Sequence, residues 1–351
     1  MDHLDAVAVK LVNGLDSLIR LSGAPRQWPP YATRTFAALA IMVVTVGLLS
    51  GQFSAEQVVA SPKKGDSKKV KDARALRGKF RQFQVTYLTV YLITMLADWL
   101  QGTNMYTLYS GYDMPVGTLF LTGFTSSAVF GTFVGLYVDK YGRRFGCVLF
   151  CVLEIIINTL EHFANLPLLL LGRVLGGIST SLLFSAFESW MVTEHRKRKF
   201  PEEWLASTQG LASTGNGVVA VLAGVLAQLA ADAFGDIGPF RLAIALTVIC
   251  LAFVLAWPEN YGTQDTKEDS TFTLAMRDIR TQPGVLLLGA IQALYEGAMF
   301  TFVFVWVPTV LKTAPASHLD IFDGSVVSPS PPPFGLIFAA FMLCITVSCE
   351  E

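Results

Sequence analysis

Apolar runs of membrane-spanning length recur along this chain and leave it few ways to fold. They fall at roughly residues 83–108, 115–137, 146–164, 166–192, 205–230, 240–257, 284–310 and 334–348, preceded by a shorter run from Thr35 to Leu49. Within a bilayer no water satisfies backbone N–H and C=O groups, so each span must close its own hydrogen bonds as a helix. Crossing the hydrocarbon takes about 20 apolar residues, which most of these runs supply. Composition agrees: 52% of residues are hydrophobic, 15% are charged and the mean hydropathy is +0.50, whereas a soluble domain carries roughly 25% charged residues. The reading is an all-α membrane protein embedded in a lipid bilayer. Residues 1–34 form a polar tail with a weak amphipathic pattern through Leu4, Val7, Leu11, Leu15 and Ile19, read as solvated rather than interfacial. The run at 35–50 is expected to be an extra membrane helix, because the 34 residues before it are too many for a signal peptide.

Orientation follows from where Lys and Arg lie, since cytoplasmic loops collect them. Residues 51–82 hold Lys63, Lys64, Lys68, Lys69, Lys71, Arg74, Arg77, Lys79 and Arg81. Alternate loops add Lys140, Arg143 and Arg144, then Arg196 to Lys199, then Lys267, Arg277 and Arg280. The intervening loops hold only Lys312. The basic loops are therefore assigned to the inside. The tail, with Lys10, Arg20, Arg26 and Arg34, then falls outside, a conflict outweighed by the nine charges across the first helix.

The loop Gly135-Leu-Tyr-Val-Asp139-Lys140-Tyr-Gly142-Arg143-Arg144 is a very short polar reversal between two apolar runs. Gly142 is expected to take φ > 0 there, and Asp139 to sit where the first helix ends. The pattern G-x-x-x-D-[RK]-x-G-[RK]-[RK] resembles the loop between helices two and three of the major facilitator superfamily. That resemblance implies a transporter of two six-helix halves joined by a central linker. The expected organisation is a tail at 1–34, an extra helix at 35–50 and a basic cytoplasmic loop at 51–82. A six-helix first half at 83–257, a cytoplasmic linker at 258–283 (with a short surface helix at Thr271–Arg280) and the start of a second half at 284–351 complete it. Ala97-Asp98-Trp99-Leu100-Gln101-Gly102 also faintly resembles Gln292-Ala-Leu-Tyr-Glu296-Gly297, as two related halves would require.

Ionisable side chains inside membrane helices are costly and are functional candidates by default. At about 1.5 Å of rise per residue, Asp98 lies roughly 20 Å from the inner surface, Arg173 roughly 9 Å below the outer end of its helix and Glu296 roughly 18 Å from the inside. Arg173 is the candidate substrate group, because its guanidinium keeps its charge and offers a planar fork of donors to an oxyanion. Asp98 is at a depth where it could neutralise Arg173 in the empty site; a permanent structural ion pair is the alternative. Gln101 and Glu296 are the further candidates for the path. Glu188, near the inner end of the same helix as Arg173, is read with Asp139, Arg143 and Arg144 as part of an inner gate. Gly172, Gly176 and Gly177 are read as packing positions. Glu154 and Asn158, one turn apart, receive no role.

Other chemistries find little support. Net charge of −1 argues against nucleic acid as a partner. The four histidines never fall at zinc-helix spacing, and the five cysteines, in or beside apolar runs, suggest no metal or disulfide framework. No nucleophile–base pair suggests an enzyme, and no cofactor is expected. Gly215-Asn-Gly217-Val-Val-Ala220 imitates a dinucleotide loop, but no strand precedes it.

A narrower resemblance rests on Gly172-Arg173-Val-Leu-Gly-Gly-Ile-Ser-Thr-Ser-Leu-Leu-Phe-Ser-Ala-Phe-Glu188-Ser-Trp190, on Ala97–Gly102, Phe200-Pro-Glu-Glu-Trp204, Glu259-Asn-Tyr261, Ile291–Gly297 and Phe302–Pro308. Together these are similar to the molybdate-anion transporters, a eukaryotic branch of the superfamily that also carries an extra N-terminal helix. The resemblance implies uptake of molybdate or a similar small anion by alternating access, with the plasma membrane as the expected location. Two alternatives stand beside it: a carrier of a sugar or organic anion, and a non-transporting fragment. The last arises because the resemblance implies a full second half, whereas the run from Phe334 is short and ends in Cys-Ile-Thr-Val-Ser-Cys-Glu-Glu, unlike the family.

Overall fold

The computed structural model describes residues 29–49, 67–262, 277, 279–313, 318–319, 326–327 and 332–348. Most of the expected tail, the first part of the basic loop, nearly all of the surface helix expected at Thr271–Arg280, and Cys349 lie outside these residues.

The apolar runs become helices: α1 (Pro30–Leu49), α2 (Ser67–Gly111), α3 (Val116–Tyr141), α4 (Arg143–Leu160), α5 (Leu166–Lys197), α6 (Glu203–Phe234), α7 (Gly238–Leu255), α8 (Pro283–Thr313) and α9 (Phe334–Ser348). A two-residue antiparallel ladder, β1 (His318–Leu319) with β2 (Val326–Val327), lies between α8 and α9. Among the described residues five helices are long and apolar enough to cross a membrane, or six when α3, bent by 54° between Gly131 and Phe133, counts as one span. The chain is membrane-embedded.

The largest difference from expectation is α2. Its helix begins at Ser67, inside the stretch expected to be a basic loop, and runs 45 residues. That is roughly 68 Å at 1.5 Å per residue, over twice a hydrocarbon core of about 30 Å. Lysine, arginine and glutamine are good helix formers in water. The charges at Lys68 to Arg81 therefore mark where lipid ends, not where the helix does. α1 likewise starts at Pro30 rather than Thr35, since proline suits a helix's first turn.

The chain divides into two units. The first comprises residues up to Met105, His195–Thr247 and Ala314 onward. Its centre is built from four alanines and a leucine: Ala97 and Leu100 of α2, Ala223 and Ala227 of α6, and Ala243 of α7 are buried together, with Leu96, Trp99, Leu226, Leu242 and Leu246 around them. α9 lies on α6 at backbone distance, because a side chain at Gly224 would meet Ala339 and the carbonyl of Gly335. Gln228 fixes that crossing by accepting the Gly335 N–H at 3.0 Å. The Trp99 indole donates to Asn216 at 2.8 Å, and Gly215 packs on Leu92. The dinucleotide-like stretch is thus helix packing.

The second unit holds Tyr106–Glu194 and Val248–Thr313. Gly177 of α5 touches Ser126 and Ser127 of α3 so closely that any Cβ would collide with them, and Ser126 Oγ donates to the Val174 carbonyl at 2.7 Å. Gly172 makes only ordinary contact with Leu160, and nothing lies within 4 Å of a Cβ at Gly176. Of the three expected packing glycines, one carries the close approach. α8 meets α3 through Phe300 on Phe124 and Phe304 on Phe120, with ring centroids 4.8 and 5.5 Å apart.

Substitution distinguishes these glycines. Gly177→Ala forces α3 and α5 apart and lowers the thermal unfolding temperature in detergent by several degrees, in line with an overpacking cost of about 1–3 kcal/mol. Gly176→Ala leaves it within a degree or so, since surface changes cost under about 0.5 kcal/mol.

Candidate functional site

Arg173 is the eighth residue of α5, about 10 Å along from its start. Its side chain turns into the second unit and is only 12% exposed. The short α4–α5 turn folds Glu161, just past the end of α4, back against it, and Arg173 Nη2 meets Glu161 Oε1 at 2.5 Å. The Glu161 side chain is fully buried. Tyr109, in the last turn of α2, donates its hydroxyl to the same Oε1 at 2.8 Å, and its ring lies 5.7 Å from the guanidinium carbon. Tyr112 donates to the Glu161 backbone carbonyl at 3.0 Å. On α3, Gly123 leaves the Arg173 stem uncrowded, a Cβ there coming no nearer than 3.8 Å.

Asp98 was the carboxylate expected to be able to neutralise Arg173; the structure bonds Glu161 to it. The physical reason is the hairpin. Glu161 is twelve residues away in sequence, yet the reversal at 161–165 sets it beside the first turns of α5. Asp98 belongs to the first unit and Arg173 to the second. Two turns below, Glu154 gains the role the sequence did not suggest. Ser179 Oγ donates to its Oε1 at 2.6 Å, and Asn158 Nδ2 reaches its Oε2 at 3.2 Å. Ser179 and Asn158 are fully buried, and Glu154 lies within electrostatic reach of Arg173.

The remaining candidates are more dispersed. Gln101 is buried but spends its amide on the carbonyl of Ala97 in its own helix, at 3.3 Å. Asp98 is half-buried. Glu296 accepts a hydrogen bond from Gln292, one turn back on α8, at 2.8 Å.

The inner turn is tighter than expected: Gly142 alone separates α3 from α4, at φ +120°. Arg143 pairs with Asp139 (Nη2 to Oδ1 2.7 Å, Nε to Oδ1 2.8 Å) and bonds the Thr193 hydroxyl. The partner found for Arg143 is thus Asp139, within its own hairpin; Glu188 lies on the exposed face of α5. Sequence reasoning missed Glu259. Its carboxylate accepts the backbone N–H groups of Arg144 and Phe145 at 2.8 and 3.1 Å, satisfying amides that open α4. Asn260 fastens the same segment, its carbonyl accepting Arg143 N–H at 2.9 Å while its amide donates to the Trp190 carbonyl at 3.2 Å. Trp190 returns a bond to the Pro258 carbonyl at 2.9 Å and stacks on Trp257 at 3.8 Å.

The sequence pattern of a family described as sugar transporters with 12 transmembrane helices matches residues 52–350. The chain belongs to this family of the major facilitator superfamily. It is 36% identical over 270 residues to the molybdate-anion transporter of Xenopus tropicalis, covering 75% of this chain and 56% of that one. Those of Xenopus laevis (35% over 275 residues; 76% and 57%) and Takifugu rubripes (31% over 342 residues; 89% and 65%) are comparable. The chain thus spans roughly three-fifths of the length of the curated relatives it matches.

Removing one partner of the buried pair should cost more than removing both. Arg173→Met strands the Glu161 carboxylate and destabilises the protein by about 3–5 kcal/mol, read as a drop in unfolding temperature. Combining it with Glu161→Leu recovers most of that loss.

Proposed function

We propose that this chain acts in a secondary transporter that takes up molybdate by alternating access, the anion docking on Arg173. The observation that carries this reading is the guanidinium held inside the helices of one unit by the carboxylate of Glu161. A carboxylate oxygen is itself an oxyanion donor site's natural occupant, so a molybdate oxygen can take its place on the same N–H groups. The names of the vertebrate relatives support the same cargo. Asp98, Gln101 and Glu296 are the further polar groups of the path. Asp139, Arg143, Arg144 and Glu188 form the inner gate, and the Glu259 cap on α4 holds that end closed. The basic face lies in the cytoplasm, and the plasma membrane is the site of action.

A second reading keeps the fold and changes the cargo to a sugar, which the description of the matching family favours. Competition separates the two. In liposomes reconstituted with the chain, uptake of labelled molybdate is inhibited by sulfate and untouched by glucose. Arg173→Ala abolishes it, and Arg173→Lys, which keeps the charge and loses the fork, weakens it about tenfold or more, the worth of a single charge-assisted bond. Undiminished uptake by Arg173→Ala removes the docking site, and competition by glucose alone selects the sugar reading.

A further inference from the structure

Glu161 has a second oxygen that its pairing leaves unused. Oε1 receives both the Arg173 guanidinium and the Tyr109 hydroxyl. Oε2 is fully buried and has no hydrogen-bond partner among the described residues. A carboxylate oxygen in that state is costly unless something compensates for it. The arginine charge compensates for it only while the pair is intact.

A docking dianion breaks the pair. It takes over the guanidinium and leaves Glu161 as a buried carboxylate beside the anion, with Glu154 nearby on α4. Three negative groups then surround one guanidinium, in a setting where each uncompensated charge is expensive. The cheapest relief is a proton. Glu154 is the poorer acceptor, because Ser179 and Asn158 already occupy its two oxygens. Glu161 has Oε2 open. Among the described residues the other titratable groups on the elements around the pair are Tyr109 in the last turn of α2 and Tyr112 just past it, Cys151 on α4 and His162 just past its end, and Cys250 on α7. Tyr109 and Tyr112 are engaged as donors to Glu161. His162 turns its Nδ1 to the Asn158 carbonyl at 3.0 Å, and Cys151 and Cys250 lie against one another at 3.8 Å.

We infer that Glu161 is a proton-binding site coupled to the cargo: each dianion that displaces it from Arg173 is accompanied by one proton from the entry side, bound at Oε2. When the anion leaves, the proton returns to water on the exit side and Glu161 closes again on Arg173. No bond other than O–H is made or broken. The transporter is then a proton–oxyanion symporter. This rests on the docking reading above and extends it to the coupling ion.

Calorimetric titration of the solubilised full chain with sodium molybdate, in buffers of different ionisation heat at one pH, counts protons taken up on binding without requiring transport. The wild type should take up about one proton per molybdate bound, and its affinity should fall as pH rises. Glu161→Gln should bind molybdate with proton uptake near zero and lose that pH dependence, while Glu161→Asp and His162→Gln retain both. Molybdate binding by the wild type with no proton uptake overturns the inference and leaves the docking site standing. Full uptake persisting in Glu161→Gln, or lost in His162→Gln, overturns the assignment to Glu161. Absence of any molybdate binding by the wild type sinks the docking reading along with this one. Should Glu161→Gln fail to fold, Tyr109→Phe serves, since it strips the remaining donor from the displaced carboxylate. The pH midpoint of proton uptake must then move, and an unmoved midpoint overturns the assignment.

Discussion

A charge surrounded by lipid-embedded helices is tolerated only where something of opposite sign meets it. The pairing of Arg173 with Glu161 is that condition in this chain, and much of the second unit serves it. The α4–α5 turn is short enough to return Glu161 to the opening of α5. Tyr109 adds a hydroxyl from a third helix. Gly177, one helical turn past Arg173, lets α3 close on α5 at contact distance, and Gly123 of α3 faces the Arg173 stem, so the arginine is held between helices. Glu154, Asn158 and Ser179 extend the polar seam between α4 and α5, Ser179 bonding Glu154 across the two helices and Asn158 bonding it along α4.

The same intolerance of unmet polar groups shapes the inner turn. A reversal of one residue leaves the first amides of α4 with no partner from their own helix. Glu259, from the segment after α7, supplies the acceptor, and negative charge at a helix N-terminus is favourable in itself. That is why Gly142 is required twice over: its φ of +120° suits only glycine, and a Cβ there would run into the Glu259 carboxylate. Trp190, Trp257 and Asn260 then anchor the capping segment to α5. The end of α7 and the start of α4 are thereby tied together although about 115 residues separate Arg144 from Glu259.

The helices and Gly142 were legible because their causes are local. Twenty apolar residues have one solution in lipid, and a glycine between a helix end and a helix start has one plausible use. The true start of α2 was hidden, because positive charge reports the membrane boundary and says nothing of where backbone hydrogen bonding stops. Glu161 was hidden for a different reason. It falls near the end of the apolar run at 146–164 and was singled out for no role, and its link to Arg173 spans a hairpin rather than a turn of one helix. Depth along a helix pointed to Asp98 instead, but depth carries no information about which way a side chain faces. Glu259 was visible only as part of a resemblance, since capping depends on where the chain returns in space.

Because Glu161 already occupies Arg173, the docking proposed for this site would be an exchange rather than an addition, and such an exchange discriminates among cargoes. A dianion that displaces the carboxylate keeps the guanidinium paired and leaves one group to be compensated. A neutral sugar would separate the pair and compensate neither member, leaving two buried charges exposed to the full desolvation cost. Affinity in that exchange would be the difference between two anion–guanidinium contacts, which would keep it moderate and let Glu161 drive the anion off. A sugar, were it the cargo, would have to dock away from Arg173 on uncharged groups, and the ion pair would be structural only. The chemistry of the pair thus ties the two questions together: a cargo that docks on Arg173 must be anionic, and a neutral cargo must dock elsewhere.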